Sequence, residues 1–190
     1  MTPSRTRRLA LDLDGCVFDT AAALGPYFRD LAGEPKLDRY DWGDAEAMRL
    51  AVAAVDFAAL SVYPGFADAV RLLYAQDVQL DFATSRPFGL FALTELSLGR
   101  ALGRPVSAFG DLWLCGRREK VDLLLELGDG GDRAVDTVVD DCPFTVCKAR
   151  HHGLRAIVFD QPWNRDLGDA YERVTSWTGK GGLTELVGMN

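Results

Sequence analysis

The sequence predicts an α/β fold: a Rossmann-like, mostly parallel sheet flanked by helices, with a small helical cap inserted after the first strand. Three observations carry that reading. Short apolar runs alternate with stretches of helical spacing, three of the runs end in polar or acidic residues, and a helical block interrupts the alternation after the first run.

Arg8 to Leu13 is an apolar run that meets acids, so it reads as a strand delivering carboxylates at its C-terminal end. Residues 20–32 follow as a helix, with Leu24, Phe28 and Leu31 at helical spacing. Glu34 to Asp41 is a polar loop containing Pro35. Asp44 can cap a second helix carrying Met48, Ala51, Val52, Val55 and Ala59, closed by the turn Tyr63-Pro64-Gly65. Phe66, Ala69, Val70 and Leu73 mark a third helix. Val78 to Ala83 is a strand with the loop Thr84-Ser85-Arg86-Pro87 after it, and residues 88–98 are again helical. Leu112 to Leu114 is a short strand, and Lys120 opens a leucine-rich helix. Gly128 to Arg133 is a Gly/Asp loop. Asp136 to Val139 is a strand ending at Asp140-Asp141, followed by a helix over 143–152 and a strand over Leu154 to Phe159. Residues 1–19 and 65–190 therefore form the core, and 20–64 the cap insert.

The chain has 190 residues, 48% of them hydrophobic, which suits one globular domain with a small insert. No apolar stretch is long and clean enough to cross a bilayer, and the apolar run after the basic start soon meets Asp12, so a cytoplasmic location is expected. The net charge is -7 and no Lys/Arg run resembles a nucleic-acid footprint, which argues against a long nucleic-acid partner but leaves a small phosphorylated substrate open. Cys16, Cys115, Cys142 and Cys147 have neither CxxC spacing nor a histidine at zinc-finger distance, and they read as reduced thiols.

In a parallel α/β sheet, ligands sit at the carboxyl ends of the strands. There the sequence places Asp12 and Asp14, Thr84 and Ser85, and Asp140 and Asp141, with Lys120 opening the helix before the third pair. Clustered carboxylates repel and call for a cation. Hard oxygen donors suit Mg2+, bound through one or two carboxylates plus substrate phosphate. A carboxylate can then attack phosphorus, a second can handle the proton, hydroxyl and N–H donors can hold the phosphoryl oxygens, and a lysine can offset developing charge.

Asp12-Leu13-Asp14-Gly15-Cys16-Val17-Phe18-Asp19-Thr20 resembles the DxDG(T/V)-type first motif of the haloacid dehalogenase (HAD) superfamily. Thr84, Lys120 and Asp140-Asp141 are similar to its second, third and fourth motifs, in order over residues 12–141. The resemblance implies Asp12 as nucleophile and metal ligand, and Asp14 as acid/base with its backbone carbonyl on the metal. It implies Asp141 as the direct ligand of the acidic pair, with Asp140 supporting through water. An acid at Asp14 implies phosphate transfer rather than dehalogenation. Tyr63-Pro64-Gly65, Tyr40-Asp41-Trp42, Pro162-Trp163-Asn164-Arg165 and Arg173 to Trp177 look like the 5'(3')-deoxyribonucleotidase group. That implies a nucleoside monophosphate substrate, with Phe18 and Trp42 in the pocket.

Other readings of the same residues stand beside these. Trp42 reads as core or as ligand contact, and Pro162 to Arg165 as a loop with a packed tryptophan or as bringing Arg165 near substrate. Arg86 reads as a substrate contact or as an exposed residue at a helix start, and Lys148 as a surface lysine. At the level of function, a phosphosugar or other small-metabolite phosphatase, and a catalytically silent binding domain, compete with the nucleotidase.

Overall fold

The computed structural model describes residues 7–38, 40, 42–128 and 134–188. Six parallel strands form one sheet: β1 (Arg8–Leu11), β2 (Gln79–Thr84), β3 (Gly110–Leu114), β4 (Thr137–Asp140), β5 (Arg155–Phe159) and β6 (Glu172–Val174). Their spatial order is β3-β2-β1-β4-β5-β6. The chain thus builds outward from β1 in one direction, returns, and builds outward from β4 in the other. Right-handed crossovers then put the connecting helices of the two halves on opposite faces.

The two-residue period of the strands divides the core accordingly. Leu9, Leu11, Leu80, Phe82, Val139 and Ile157 face the cluster shared with α3 (Phe66–Ala75), α4 (Phe91–Leu102) and α7 (Leu183–Gly188). Ala10, Ala83, Val138 and Val158 face the smaller cluster made with α5 (Lys120–Gly128) and α6 (Pro143–His151). Both faces are covered, so the strands read as continuous apolar runs rather than as alternating ones.

One ion pair is buried at the start of this sheet. Arg8 on β1 donates from Nε and Nη2 to Asp81 on β2, at 2.5 and 2.8 Å, and Trp113 Nε1 on β3 adds a bond to the same carboxylate at 3.1 Å.

The helices α1 (Thr20–Ala32) and α2 (Ala45–Ala54) stand apart from the sheet and have their own apolar cluster of Leu24, Phe28, Trp42, Ala47 and Ala51. Each starts where an aspartate accepts first-turn N–H groups. Asp19 Oδ1 takes Ala22 N, and Asp44 Oδ1 takes Glu46 N and Ala47 N. The expected extension of α2 to Ala59 does not form. Val55 turns to extended geometry, and Asp56 Oδ1 accepts the Ala58 N–H, a local turn that competes with the helix.

Other boundaries differ for similarly local reasons. Asp12 and Leu13, expected in the first strand, lie just beyond β1, where Asp12 N still donates to Val139 O of β4 at 2.9 Å before the turn at 15–17. The helix expected from residue 88 begins as a tight 3-10 turn, Phe88–Leu90, before α4. β6 and α7, with three and six residues, were not anticipated from the sequence. Residues 129–133 of the expected Gly/Asp loop, and Asp41, lie outside the described residues. Among the described residues, no helix is long and apolar enough to cross a membrane.

Truncating one partner of the Arg8–Asp81 pair leaves a buried charge uncompensated. Asp81→Ala is expected to lose about 3 kcal/mol of stability in urea unfolding. A loss under about 1 kcal/mol would mean that Asp111 and Gln79, which also accept from Arg8, hold the guanidinium alone.

Candidate active site

Strand order reverses between β1 and β4, and that reversal opens a crevice at their C-terminal ends. Asp12, Asp14, Asp140 and Asp141 all lie there. The segment after β1 is a tight loop in which Leu13 O accepts from both Val17 N and Phe18 N at 2.8 Å. Gly15 has φ +82, and a Cβ on it would stand 2.3 Å from Asp141 Oδ2. Only glycine leaves room for that carboxylate. Distant residues hold the loop from outside. Gln161 Nε2 donates to Gly15 O at 2.6 Å and Trp177 Nε1 to Cys16 O at 3.0 Å.

Lys120, buried at the start of α5, donates to Asp12 Oδ1 at 2.6 Å and Asp140 Oδ2 at 2.5 Å. The other oxygen of Asp140 accepts Cys142 N at 2.8 Å. Both Asp140 oxygens therefore hold neighbours in place, Lys120 on one side and the backbone at Cys142 on the other. Asp141 is fixed on the opposite side. Trp163 Nε1 donates to its Oδ2 at 3.0 Å, and Asn164 Nδ2 to its backbone carbonyl at 2.9 Å.

Carboxylate oxygens of Asp12 and Asp141 lie within 4.8 Å of each other, and both residues are buried. Burial first, then repulsion from Asp140, pushes the Asp12 pKa up to about 7 against the pull of Lys120. Burial and the Asp12 charge raise Asp141 well above the usual carboxylate range. The cluster has four carboxylates and, with Arg86, two cations, so it is two positive charges short. A divalent cation supplies them, and oxygens of Asp12 and Asp141, with the Cys16 thiol, lie within 4.8 Å of one another. The two carboxylates have the chemistry of a hard-cation site.

The Asp14 carboxylate is enclosed by donors. Arg86 Nη2 reaches Oδ1 at 2.7 Å and Nε reaches Oδ2 at 2.9 Å. Thr20 Oγ1 donates to Oδ1 at 2.9 Å and Thr84 Oγ1 to Oδ2 at 3.3 Å. Arg86 is 4% exposed. It is thus not an exposed helix-start residue; it lines the cavity, with its fork closed on Asp14.

These groups form one end of a cavity of about 260 Å³. Asp12, Asp14, Thr84, Ser85, Lys120 and Asp141 line that end. The opposite wall comes from the α1–α2 pair and the loops beside it: Ala21, Leu24, Trp42, Met48, Val52 and Phe57. Trp42 is both core and lining. It is buried against Phe28, with ring centroids 5.3 Å apart, and its backbone sits at φ +54, a conformation bulky residues rarely adopt. Phe18 is a correction. Expected in the pocket, it is buried in the main cluster below the guanidinium of Arg86, 5.1 Å from its ring centre, and is not among the lining residues. Arg165 lies away from the cavity at Asp160, and Lys148 pairs with Glu119 and Asp122 at the surface.

Sequence reasoning did not find Thr20 or the Arg86 clamp. Trp163 stood in a flagged stretch, but nothing in the sequence pointed its indole at Asp141.

The fold has known counterparts. CbbY from Rhodobacter sphaeroides, in complex with xylulose-(1,5)bisphosphate, is 18% identical over 95% of this chain and 99% of its own, with a TM-score of 0.61. A HAD family hydrolase from Deinococcus radiodurans with bound phosphate and sodium is 15% identical over 91% and 93%, TM-score 0.60. A HAD-superfamily hydrolase of subfamily IA from Geobacter sulfurreducens is 17% identical over 87% and 96%, TM-score 0.54. The chain shares the Rossmann-like α/β fold of these HAD-superfamily proteins. No protein-family model and no curated protein sequence matches it.

In the cation-free protein, Asp12 and Asp141 keep protons that the unfolded chain, with aspartate at 3.8, has given up. Stability is therefore expected to fall as the pH rises from about 5 to about 7, read as the urea midpoint in chelator. A midpoint that stays level or rises across that window would contradict the raised values.

Proposed function

We propose that this chain is a magnesium-dependent phosphomonoesterase that works through an aspartyl-phosphate, with a nucleoside monophosphate as its substrate. One observation carries the chemistry. A buried aspartate, tied to a buried lysine and with an oxygen of a second buried aspartate within 4.8 Å, stands at the strand-order reversal and lines a cavity.

Asp12 attacks phosphorus through a carboxylate oxygen. The bond to the ester oxygen breaks, and that oxygen leaves with a proton from Asp14. Asp14 then takes a proton from water, whose oxygen attacks the phosphorus, breaks its bond to the Asp12 carboxylate, and so frees phosphate and restores Asp12. Lys120 holds Asp12 in line and offsets charge on the phosphoryl group, while Thr84 and Ser85 present donors to its oxygens. Mg2+ would be held by Asp12, Asp141 and the Asp14 carbonyl. It would offset the repulsion between an anionic nucleophile and an anionic phosphate. Asp140 acts by fixing Lys120.

The cavity wall supports the nucleotide reading. We take residues 20–64 as the cap, and the cap residues Ala21, Leu24, Met48, Val52, Phe57 and Trp42 carry no charge. A polyol leaving group would lose hydrogen bonds to water against such a wall, whereas a flat base keeps its apolar faces covered. CbbY binds a phosphosugar, and that substrate class is the competitor. The four cysteines are free thiols, which supports a cytoplasmic setting.

Phosphate release from nucleoside monophosphates, with magnesium and not with chelator, is the expected result. Release from phosphosugars alone would keep the chemistry and discard the nucleotidase. Asp12→Asn is expected to fold and lose essentially all turnover, and Asp14→Asn to lose about 10²–10⁴-fold. Full activity in Asp12→Asn would refute the covalent step. Magnesium at neutral pH is expected to raise the melting temperature of the native protein but not of Asp12→Asn/Asp141→Asn, as calorimetry would show.

A further inference from the structure

We infer that Arg86 is a positioning residue for proton transfer, the fixed fork that aims the carboxylate of Asp14 while hydroxyl contacts on that carboxylate come and go. The inference rests on the acid/base reading of Asp14.

Both oxygens of Asp14 accept two hydrogen bonds each, one from Arg86 and one from a threonine hydroxyl. A carboxylate so enclosed has no lone pair left for a proton. One contact must yield before Asp14 can act, and the four are not equally able to do so.

The Arg86 guanidinium has nowhere else to go. Its Nη1 donates to Thr94 Oγ1 at 3.3 Å, and its plane lies by the rings of Phe18 and Phe57, 5.1 and 4.6 Å from their centres. These groups come from three separate segments and hold the fork from behind. Nε and Nη2, the two-pronged edge that would grip an anionic substrate, are both on Asp14, which separates Arg86 from an arginine that offers its fork to substrate.

The hydroxyls can turn. Thr20 Oγ1 already has Phe18 O at 3.3 Å as a second acceptor. Thr84 lines the cavity with Asp12 and Lys120, where a phosphoryl group would offer its oxygens. When a phosphoryl oxygen takes the Thr84 hydroxyl proton, Asp14 Oδ2 gains an open position on the substrate side. Arg86 keeps that oxygen in place meanwhile. Substrate phosphate thereby readies the acid/base, and only the bidentate partner need stay fixed. Phe57 belongs to residues 20–64, so the aim of Asp14 is also tied to where that segment sits.

Arg86→Lys keeps a cation and loses the fork. The test compares glycerol 2-phosphate, whose alkoxide must be protonated to leave, with p-nitrophenyl phosphate, whose leaving group departs without a proton. The expected result is a fall of about 10²-fold in the single-turnover rate of glycerol release from the first and of under about tenfold in the burst of p-nitrophenol from the second, readouts that the shared hydrolysis of the intermediate does not enter. The same substitution in an Asp14→Asn background should change neither rate further. Phe57→Leu, which leaves the fork but removes one ring behind it, should show the same selectivity more weakly and serves if Arg86→Lys does not fold. Equal losses on both substrates, or losses that multiply with Asp14→Asn, would make Arg86 a packing residue and overturn the proposal alone. Two results seen before Arg86 is touched would overturn it together with its premise. Absence of any turnover by the native protein removes the phosphatase reading, and glycerol 2-phosphate turnover untouched by Asp14→Asn removes the acid/base role.

Discussion

Four carboxylates packed at the mouth of two neighbouring strands are the constraint that the rest of the structure answers. Left alone they would repel one another and, being buried, would take up protons. Lys120 and Arg86 divide the task. The lysine spans Asp12 and Asp140, and the arginine closes on Asp14. Asp141 is left to a tryptophan N–H and a backbone clamp. The two cations are needed where they stand because the sheet topology, not local preference, forces the acids together. β1 and β4 are neighbours in space and more than a hundred residues apart in the chain.

The surroundings follow from this. Gly15 is glycine because Asp141 lies where a side chain would go. Asn164 is buried and spends its amide on Phe159 O and Asp141 O, while its own oxygen accepts from Gln161 N and Arg173 Nη1. The irregular segment Pro162–Ala170 thus serves as a brace for the acidic end of β4, which explains why a polar, turn-rich stretch is ordered against the core.

Much of this was legible in the sequence, and the reasons are particular. The ends of β1 and β4 could be read because an apolar run that stops at two acids has few other uses. Lys120 stood out by its place at a helix start in a chain with few lysines. Arg86 could not be read. An arginine after a turn normally faces water, and its burial depends on Phe18, Phe57 and Thr94, which only the tertiary fold assembles. Phe18 was misplaced for the related reason that nearness in sequence to Asp14 says nothing about which way a ring turns. β6 is three residues long and paired only to β5, too short for its pattern to show. The early end of α2 reflects one aspartate side chain bonding its own backbone, a contest that spacing rules do not register.

The loop after β1 leans on partners from the far end of the chain, Gln161 at Gly15 and Trp177 at Cys16, separations of 146 and 161 residues. The acids at the start of the chain are made first, yet the loop that carries them acquires its last supports only once residue 177 exists. During synthesis, a nascent chain emerging at the ribosome would therefore carry Asp12 and Asp14 for most of its length without these supports around them. A chain cut short of residue 177 would lack the Trp177 support at Cys16, and the loop that follows β1 would be held from one side fewer.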